Sequence, residues 1–264
     1  MLAVFFVFLY NSIRVLGGVY MEHWEYLKPD GFQFVYDDTL FRPSTDTFLL
    51  SSLPRLKPGL RVCDLGSGTG LLSLLLLQRQ PTLSVTGIEI QEHAVSLAEK
   101  AALKNGIADR VSFFQQDLRS VRESFSTGSF DLAVCNPPYY PKNQGYVSQE
   151  DAIRTARSEL ACSLDDVCQA ASYLLRWGGS FCVVHKPERL TDLLCTLRTA
   201  ALEPKRLRFV CKTAIDAPSL VLVDSRRGGK PGLIIEPPLI LQTEHGNPTP
   251  EVDAIYFRTQ EDKP

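Results

Sequence analysis

Several things this 264-residue sequence lacks narrow its class before any motif is read. Its seven cysteines (Cys63, Cys135, Cys162, Cys168, Cys182, Cys195 and Cys211) are odd in number and never form a C-x-x-C pair, which argues against a zinc knuckle or a disulfide framework. A free thiol inside a strand behaves as a small hydrophobe, and that usage suits a reducing cytoplasm. Excess charge is also missing. Twenty-eight basic against thirty acidic side chains leave −2, so contact with nucleic acid or a membrane must come from a local patch. No apolar run reaches the ~20 residues of a membrane span. The longest at the N-terminus, Leu2 to Tyr10, is broken by Asn11, Ser12 and Arg14 and has no basic head for a signal peptide. There is no internal repeat and no linker-like stretch. His185 and His245 have no metal-ligand spacing around them and read as structural, so no metal is expected.

Met21-Glu22-His23-Trp24-Glu25 reads as a conventional start, with Gly17-Gly18 just upstream. In a bacterial gene such a glycine pair is consistent with a translated ribosome-binding site. Residues 1–20 are therefore expected to be an over-extended gene start, and 21–264 a single domain.

What is present is an alternation of short apolar runs and helical patterns. After an irregular lead-in containing Phe32 to Tyr36, Ser44 reads as the N-cap of a helix from Thr45 to Leu53. Strands are expected at Arg61–Asp64, Leu83–Ile90, Val111–Gln116, Phe130–Cys135 and Ser180–His185. Helices are expected at Leu71–Leu77, Gln91–Asn105, Asp151–Ser158, Ser163–Arg176 and from Pro187 to about Ala201. Such alternation predicts an α/β fold with a mostly parallel sheet covered on both faces. Arg206–Lys212 and Leu220–Asp224 are joined by too short a link for a crossover helix, so they should form a terminal antiparallel hairpin.

Two polar motifs follow strand ends. Asp64-Leu65-Gly66-Ser67-Gly68-Thr69-Gly70 places three glycines where the backbone must turn sharply and approach a ligand. Alone, the loop also suits a dinucleotide site or a purely structural turn, although Leu71 stands where a G-x-G-x-x-G fingerprint needs Gly or Ala. Glu89 and Asp117 end the next two strands, where carboxylates can accept hydrogens from ribose hydroxyls and an adenine amine. Asn136-Pro137-Pro138-Tyr139 closes the fourth strand. There the Asn136 side-chain oxygen and the Pro137 carbonyl can accept both hydrogens of a conjugated amine, favouring the pyramidal, nucleophilic nitrogen. Prolines fix the carbonyl's direction, and Tyr139 offers a stacking face.

The glycine loop resembles the first motif of Rossmann-like class I S-adenosylmethionine-dependent methyltransferases. Asn136 to Tyr139 resembles the acceptor motif of amino-methyltransferases acting on adenine, cytosine or protein glutamine. Phe41 to Leu50 resembles the segment that covers the cofactor in that class. Ala156-Arg157-Ser158-Glu159, Val184 to Leu190, Glu203 to Val210 and Gly228 to Leu233 resemble the bacterial tRNA1(Val) adenine-N6-methyltransferase family. Over roughly residues 25–257 the resemblance implies a seven-stranded class I sheet, S-adenosylmethionine as cofactor and tRNA as substrate. By it Asp64, Gly66, Ser67, Gly68, Gly70, Glu89, Asp117 and Asn136 hold the cofactor. Asn136, Pro137, Pro138 and Tyr139 hold the base. Ser158 departs from the histidine expected in many relatives. Lys142, Arg157, Lys186 and Arg189 are the candidate RNA contacts, phosphate binding being largely electrostatic. A protein-glutamine methyltransferase is the competing enzyme, and it would be expected to bring a helical docking region that has no room before residue 60. A catalytically idle RNA-binding protein is a third reading, disfavoured by the intact acids and Asn136 turn.

Overall fold

A computed structural model describes residues 15–16, 21–38, 40, 43–137 and 162–258. The expected gene-start segment, apart from 15–16, lies outside them, as do the expected helix 151–158, Pro138, Tyr139, Lys142, Arg157 and Ser158.

The first described elements are three antiparallel strands, β1 (Val15–Leu16), β2 (Met21–Tyr26) and β3 (Gln33–Asp37). The lead-in is thus a hairpin, more regular than its sequence suggests, with Trp24 opposite Val35 and Glu25 opposite Phe34. Helix α1 (Thr45–Ser51) follows, then β4 (Arg61–Leu65), α2 (Leu71–Arg79), β5 (Ser84–Glu89), α3 (Glu92–Lys104) and β6 (Val111–Gln115). A 3₁₀ turn at Leu118–Glu123 leads to β7 (Phe130–Cys135). Beyond residue 161 come α4 (Leu164–Leu174), β8 (Leu175–His185), a 3₁₀ turn at Pro187–Arg189, and α5 (Leu190–Thr199). The chain then forms β9 (Leu202–Cys211), β10 (Pro218–Arg227), β11 (Ile234–Ile235), β12 (Leu239–Ile240) and α6 (Pro250–Ile255).

The main sheet runs β6-β5-β4-β7-β8-β10-β9-β11, with β12 also beside β9. Strands β4 to β8 pair in parallel, and β10 runs antiparallel to both β8 and β9. Seven strands of this sheet, β4 to β10, have five or more residues, the number expected, and the two-residue β11 and β12 widen the sheet to nine. The expected hairpin is there, with Cys211 opposite Pro218.

Alternation along the strands sorts the core into two layers. Val62, Val134 and Cys182 face α1, α2, α3 and α6, whereas Cys63, Ala133, Phe181 and Val183 face α4 and α5. Helix α2 is buried from Leu71 through Leu77, which suits a helix enclosed between the sheet and other elements. Five of the cysteines, Cys63, Cys135, Cys168, Cys182 and Cys211, are buried in this packing, whereas Cys195 is exposed. All seven are free, and burial pushes the Cys63, Cys135 and Cys182 thiols up, leaving them uncharged.

The boundary between α4 and β8 differs in kind from expectation. Leu175 and Arg176, expected to end a helix, open β8, which starts five residues before the expected Ser180, because Leu175 pairs with Phe130 and Gly178 takes φ 77° at a register shift. The tail also carries structure its sequence did not announce. In α6, Thr249 caps the Val252 N–H. Tyr256, just after it, stacks on Phe48 of α1 at 4.6 Å, and burial pushes its hydroxyl up to about 12.

Arg206 ties the hairpin to the turn that follows α1. Its guanidinium donates to Asp224 at 2.9 Å, to Glu236 at 3.1 Å and to the Leu53 carbonyl at 2.8 Å. Removing one partner of such a buried pair leaves uncompensated charge, so Arg206→Ala should cost about 3–5 kcal/mol in urea unfolding. Replacing Arg206 by Met and Asp224 by Leu together should recover much of that loss.

Candidate active site

Strand order reverses beside β4, since the chain leaves it for β5 and β6 on one side and returns to β7 on the other. Ligands of open α/β sheets bind beyond the carboxyl ends of strands at such a switch point. The carboxyl ends of β7, β4 and β5 carry Asn136, the glycine loop and Glu89. Neighbouring strands lie about 4.8 Å apart, so Asn136 and Glu89 flank the loop across roughly 10 Å.

The loop is built as a cradle. Gly66 and Ser67 donate backbone N–H bonds to the Ile88 carbonyl at 2.8 and 3.1 Å, pinning the loop to β5. Gly66 and Gly68 take φ 70° and 53°, and a Cβ on either would enter open space. The backbone there is bare toward the crevice. Gly70 answers a different need: a Cβ on it would lie 2.7 Å from the Phe113 ring. Gly87, which the sequence reading passed over, has the same role, with Phe113 at 2.4 Å and Ser67 Oγ at 2.8 Å from its virtual Cβ. A glycine inside a strand is the signal that marks it. Ser67 Oγ is buried toward β5, and its backbone is used within the fold, the N–H on Ile88 and the carbonyl accepting the Gly70 N–H at 2.9 Å.

The three acids occupy three different environments. Glu89 is 7% exposed; one carboxylate oxygen accepts the Gly68 N–H at 3.0 Å and the other accepts the Gln91 N–H at 3.0 Å. It therefore stands at the cradle's lip with both oxygens oriented. Asp64 lies beneath the loop on the α2 face, 1% exposed, accepting the Ser73 hydroxyl at 2.7 Å. Burial, with a smaller contribution from the charge of Glu89, raises its carboxyl to about 7 against the opposing Ser73 bonds. Asp117 lies two residues past the end of β6. It caps the 3₁₀ turn through the Arg119 N–H at 2.9 Å and grips the Arg119 guanidinium with both oxygens, which holds it below the usual carboxylate range.

At the acceptor end, Asn136 Nδ2 donates to Thr47 Oγ1 at 2.9 Å and reaches Ser44 Oγ at 3.4 Å. Ser44 stands at the N-cap of α1 but makes no capping bond; its hydroxyl is turned toward Thr47 and Asn136 instead. Pro137 is buried. Lys186 and Arg189 sit just past the end of β8, one strand over from Asn136, with Arg189 paired to Asp192 at 2.6 Å. His185 is 3% exposed, its Nδ1 accepts the Lys186 N–H, and burial lowers its pKa, a structural placement. Among the described residues no group of three or more His, Cys, Asp or Glu could hold a metal, and no helix is long and apolar enough to cross a membrane. Ser73, Thr47 and Ile90 were not singled out as site residues from sequence. Ile90, right after Glu89, is 44% exposed.

Asp64 makes a pH-dependent contribution. Its carboxyl is raised from about 3.8 to about 7 on folding, so the native state binds the extra proton between those values. Stability from this group is whole below about pH 4 and is lost as pH rises through about 7. Asp64→Asn keeps an acceptor for Ser73 and removes the ionisation. Its Tm should fall less than that of the wild-type protein between pH 4 and 7.5, measured by thermal melts across that range.

Comparison with known proteins agrees with this geometry. A family model described as a methyltransferase domain matches residues 56–211, from just before β4 to the end of β9. A tRNA1(Val) (adenine(37)-N6)-methyltransferase of Yersinia enterocolitica is 30% identical over 60% of this chain and 64% of its own length, so the matched stretch spans less than two thirds of that relative. The enzyme of the same name from Dickeya chrysanthemi is 28% identical over 80% of this chain and 85% of its own. A release factor glutamine methyltransferase of Chlorobaculum tepidum is 31% identical over 58% and 57%. Among solved structures, a predicted O-methyltransferase from Agrobacterium tumefaciens superposes with a TM-score of 0.66 at 19% identity, covering 81% of this chain and 96% of that one, a likeness of fold. The fold is that of the class I methyltransferases, and the chain belongs to the methyltransferase-domain family.

Proposed function

We propose that this chain is an S-adenosylmethionine-dependent methyltransferase acting on the N6 amine of a tRNA adenine, with the adenine beside the anticodon of tRNA1(Val) as the specific substrate. The observation that carries the reading is Asn136, a carboxamide at the end of the strand adjoining the glycine cradle, held at its nitrogen end by hydroxyls. The cradle suits the cofactor because Gly66 and Gly68 leave bare backbone toward the crevice. When bound, S-adenosylmethionine supplies an electrophilic methyl group. Glu89, with both oxygens already oriented, would accept the ribose hydroxyl hydrogens. Asp117 would face the adenine edge. Asp64 would act from below, through the loop that it underlies.

The chain's own contribution at the acceptor is hydrogen bonding. An adenine amine is a poor nucleophile because its lone pair is delocalised into the ring. Asn136 Oδ1 and the Pro137 carbonyl oxygen, accepting its two hydrogens, favour the pyramidal nitrogen, a preorganised interaction that strengthens as charge develops. The alkylated nitrogen is acidic enough to lose its proton to water, so no strong base is needed. Tyr139 is assigned the stacking face and Pro138 the rigid turn, while Lys142, Arg157, Lys186 and Arg189 are assigned phosphate contacts, which position rather than specify. Acting on tRNA, the protein would work in the cytoplasm.

Glutamine is the competing acceptor, since the same two carbonyls serve a carboxamide nitrogen. The tRNA reading is favoured by extent: the chain aligns to 85% of a tRNA methyltransferase but to 57% of the glutamine methyltransferase.

Asn136→Ala should slow single-turnover methyl transfer to tRNA about 10²–10³-fold, while calorimetry finds cofactor affinity nearly unchanged. Glu89→Ala should weaken cofactor binding by about 1–3 kcal/mol, as expected when polar partners are left unmatched. An Asn136→Ala protein turning over at the wild-type rate would place the active site elsewhere.

A further inference from the structure

The end of β8 far from the crevice carries an exposed tryptophan in a fixed pose. Trp177 is 72% exposed, and its ring lies against Gly228 in the turn that follows β10. A Cβ on Gly228 would sit 2.1, 2.3 and 2.5 Å from Cζ2, Cε2 and Cη2 of the six-membered ring. Near-equal distances to one carbon and both its ring neighbours put the glycine over the ring's face. An approach to the edge would leave the two neighbours much farther away. Gly228 also takes φ 64°, a conformation that costs other residues more. One face of the indole is thus fixed on backbone, and the other is left to water.

Charge around the ring is of one sign. Arg226 lies beside Gly229, whose virtual Cβ would be 3.3 Å from the Arg226 Cβ. Lys205 Nζ donates to the Lys230 carbonyl at 3.0 Å, which brings both lysines to the same turn. Arg227 donates to the Tyr173 and Leu175 carbonyls, just before Trp177 in the chain. Among the described residues none of these four cations has a carboxylate partner. The acids close by are taken: Glu203, opposite Arg226, by Arg198 at 3.1 Å, and Asp131 by Arg61 and Arg176 at 3.6 and 2.6 Å.

We infer that this corner is a second RNA contact, in which an unpaired nucleotide stacks on the open face of Trp177. Arg226, Lys205 and Lys230 take the phosphates beside it. Base–aromatic stacking tolerates any sequence, and neighbouring cations follow the backbone. The inference rests on the tRNA reading above and extends it to a place that reading leaves unassigned. Asn136 follows Cys135, which stands opposite Val183, so Trp177 lies roughly 20 Å along β8 from the level of the acceptor motif. A folded RNA with one base in the crevice spans that distance and is held at two points. The corner contributes affinity and takes no part in the chemistry. A protein partner is the rival occupant, because Leu233, Ile234 and Ile235 are exposed on the adjoining edge. Four uncompensated cations favour the polyanion.

Emission from Trp177 is isolated as the difference between the wild-type protein and Trp177→Phe, Trp24 being the other tryptophan. A single-stranded oligoribonucleotide of about 8 nucleotides, and separately total tRNA, should quench it. Trp177→Ala should weaken binding of both about 5–150-fold, the range for losing one stacked base, with the salt dependence unchanged. Trp177→Phe should keep most of the affinity. Arg226→Ala and Lys230→Ala should each lower the slope of log K against log salt by about 0.7–1, the signature of one lost phosphate contact. Unquenched Trp177 emission, or wild-type RNA affinity in Trp177→Ala, would overturn the inference. So would self-association that Trp177→Ala abolishes while RNA binding stays intact, which gives the corner to a second copy of the chain. If the protein methylates no tRNA, the functional reading fails, and quenching by the oligoribonucleotide still decides the corner.

Discussion

The structure depends on the pairing of β4 with a parallel neighbour on each side. Asp64 lies opposite Gly87 of β5 and Val134 of β7, so three strands end at one level and their connections diverge. The crevice left between those connections exposes backbone that cannot be paired within the sheet. The loop meets that requirement in two ways. It turns its first N–H groups back to Ile88 and gives the Gly68 N–H to Glu89. The same bonds that finish the sheet also orient the groups a ligand would meet, and this coupling of fold to site explains why the glycine loop and Glu89 act as one unit.

Charge is distributed to the same end. Two carboxylates close to the cradle would repel one another, and the fold removes one of them from water beneath α2, where Ser73 bonds it and burial raises it to about 7. Asp117 is treated oppositely, half-exposed and clasped by Arg119, which keeps it ionised. Three acids that look alike in sequence therefore have three physical roles: one at the lip, one underneath and one on the rim.

Much of this was legible in the residues. The strand Phe130–Cys135, the glycine loop and the antiparallel hairpin all follow from apolar periodicity, glycine spacing and link length. The strand-end position of Glu89 was equally plain. What escaped was whatever depends on contact across long sequence separations. Ser44 looks like an N-cap because its neighbours look like a first turn, yet its hydroxyl faces a strand end 92 residues away. Nothing local to Thr47 announces its bond to Asn136, and nothing local to Pro250–Ile255 announces a helix that braces α1. Leu175 and Arg176 read as a helix end because Gly178-Gly179 follow and glycines usually stop helices, whereas strand pairing of Leu175 with Phe130 won. Burial separated Asp64 from the other acids, and burial is a property of the packed sheet.

The most direct test of the account is transfer of a labelled methyl group from S-adenosylmethionine by the purified protein, offered total tRNA in one reaction and total soluble protein in another. Digestion of the tRNA to nucleosides should place the label in N6-methyladenosine, with little incorporation into protein. Label found in protein glutamine, or in a nucleoside other than N6-methyladenosine, would contradict it.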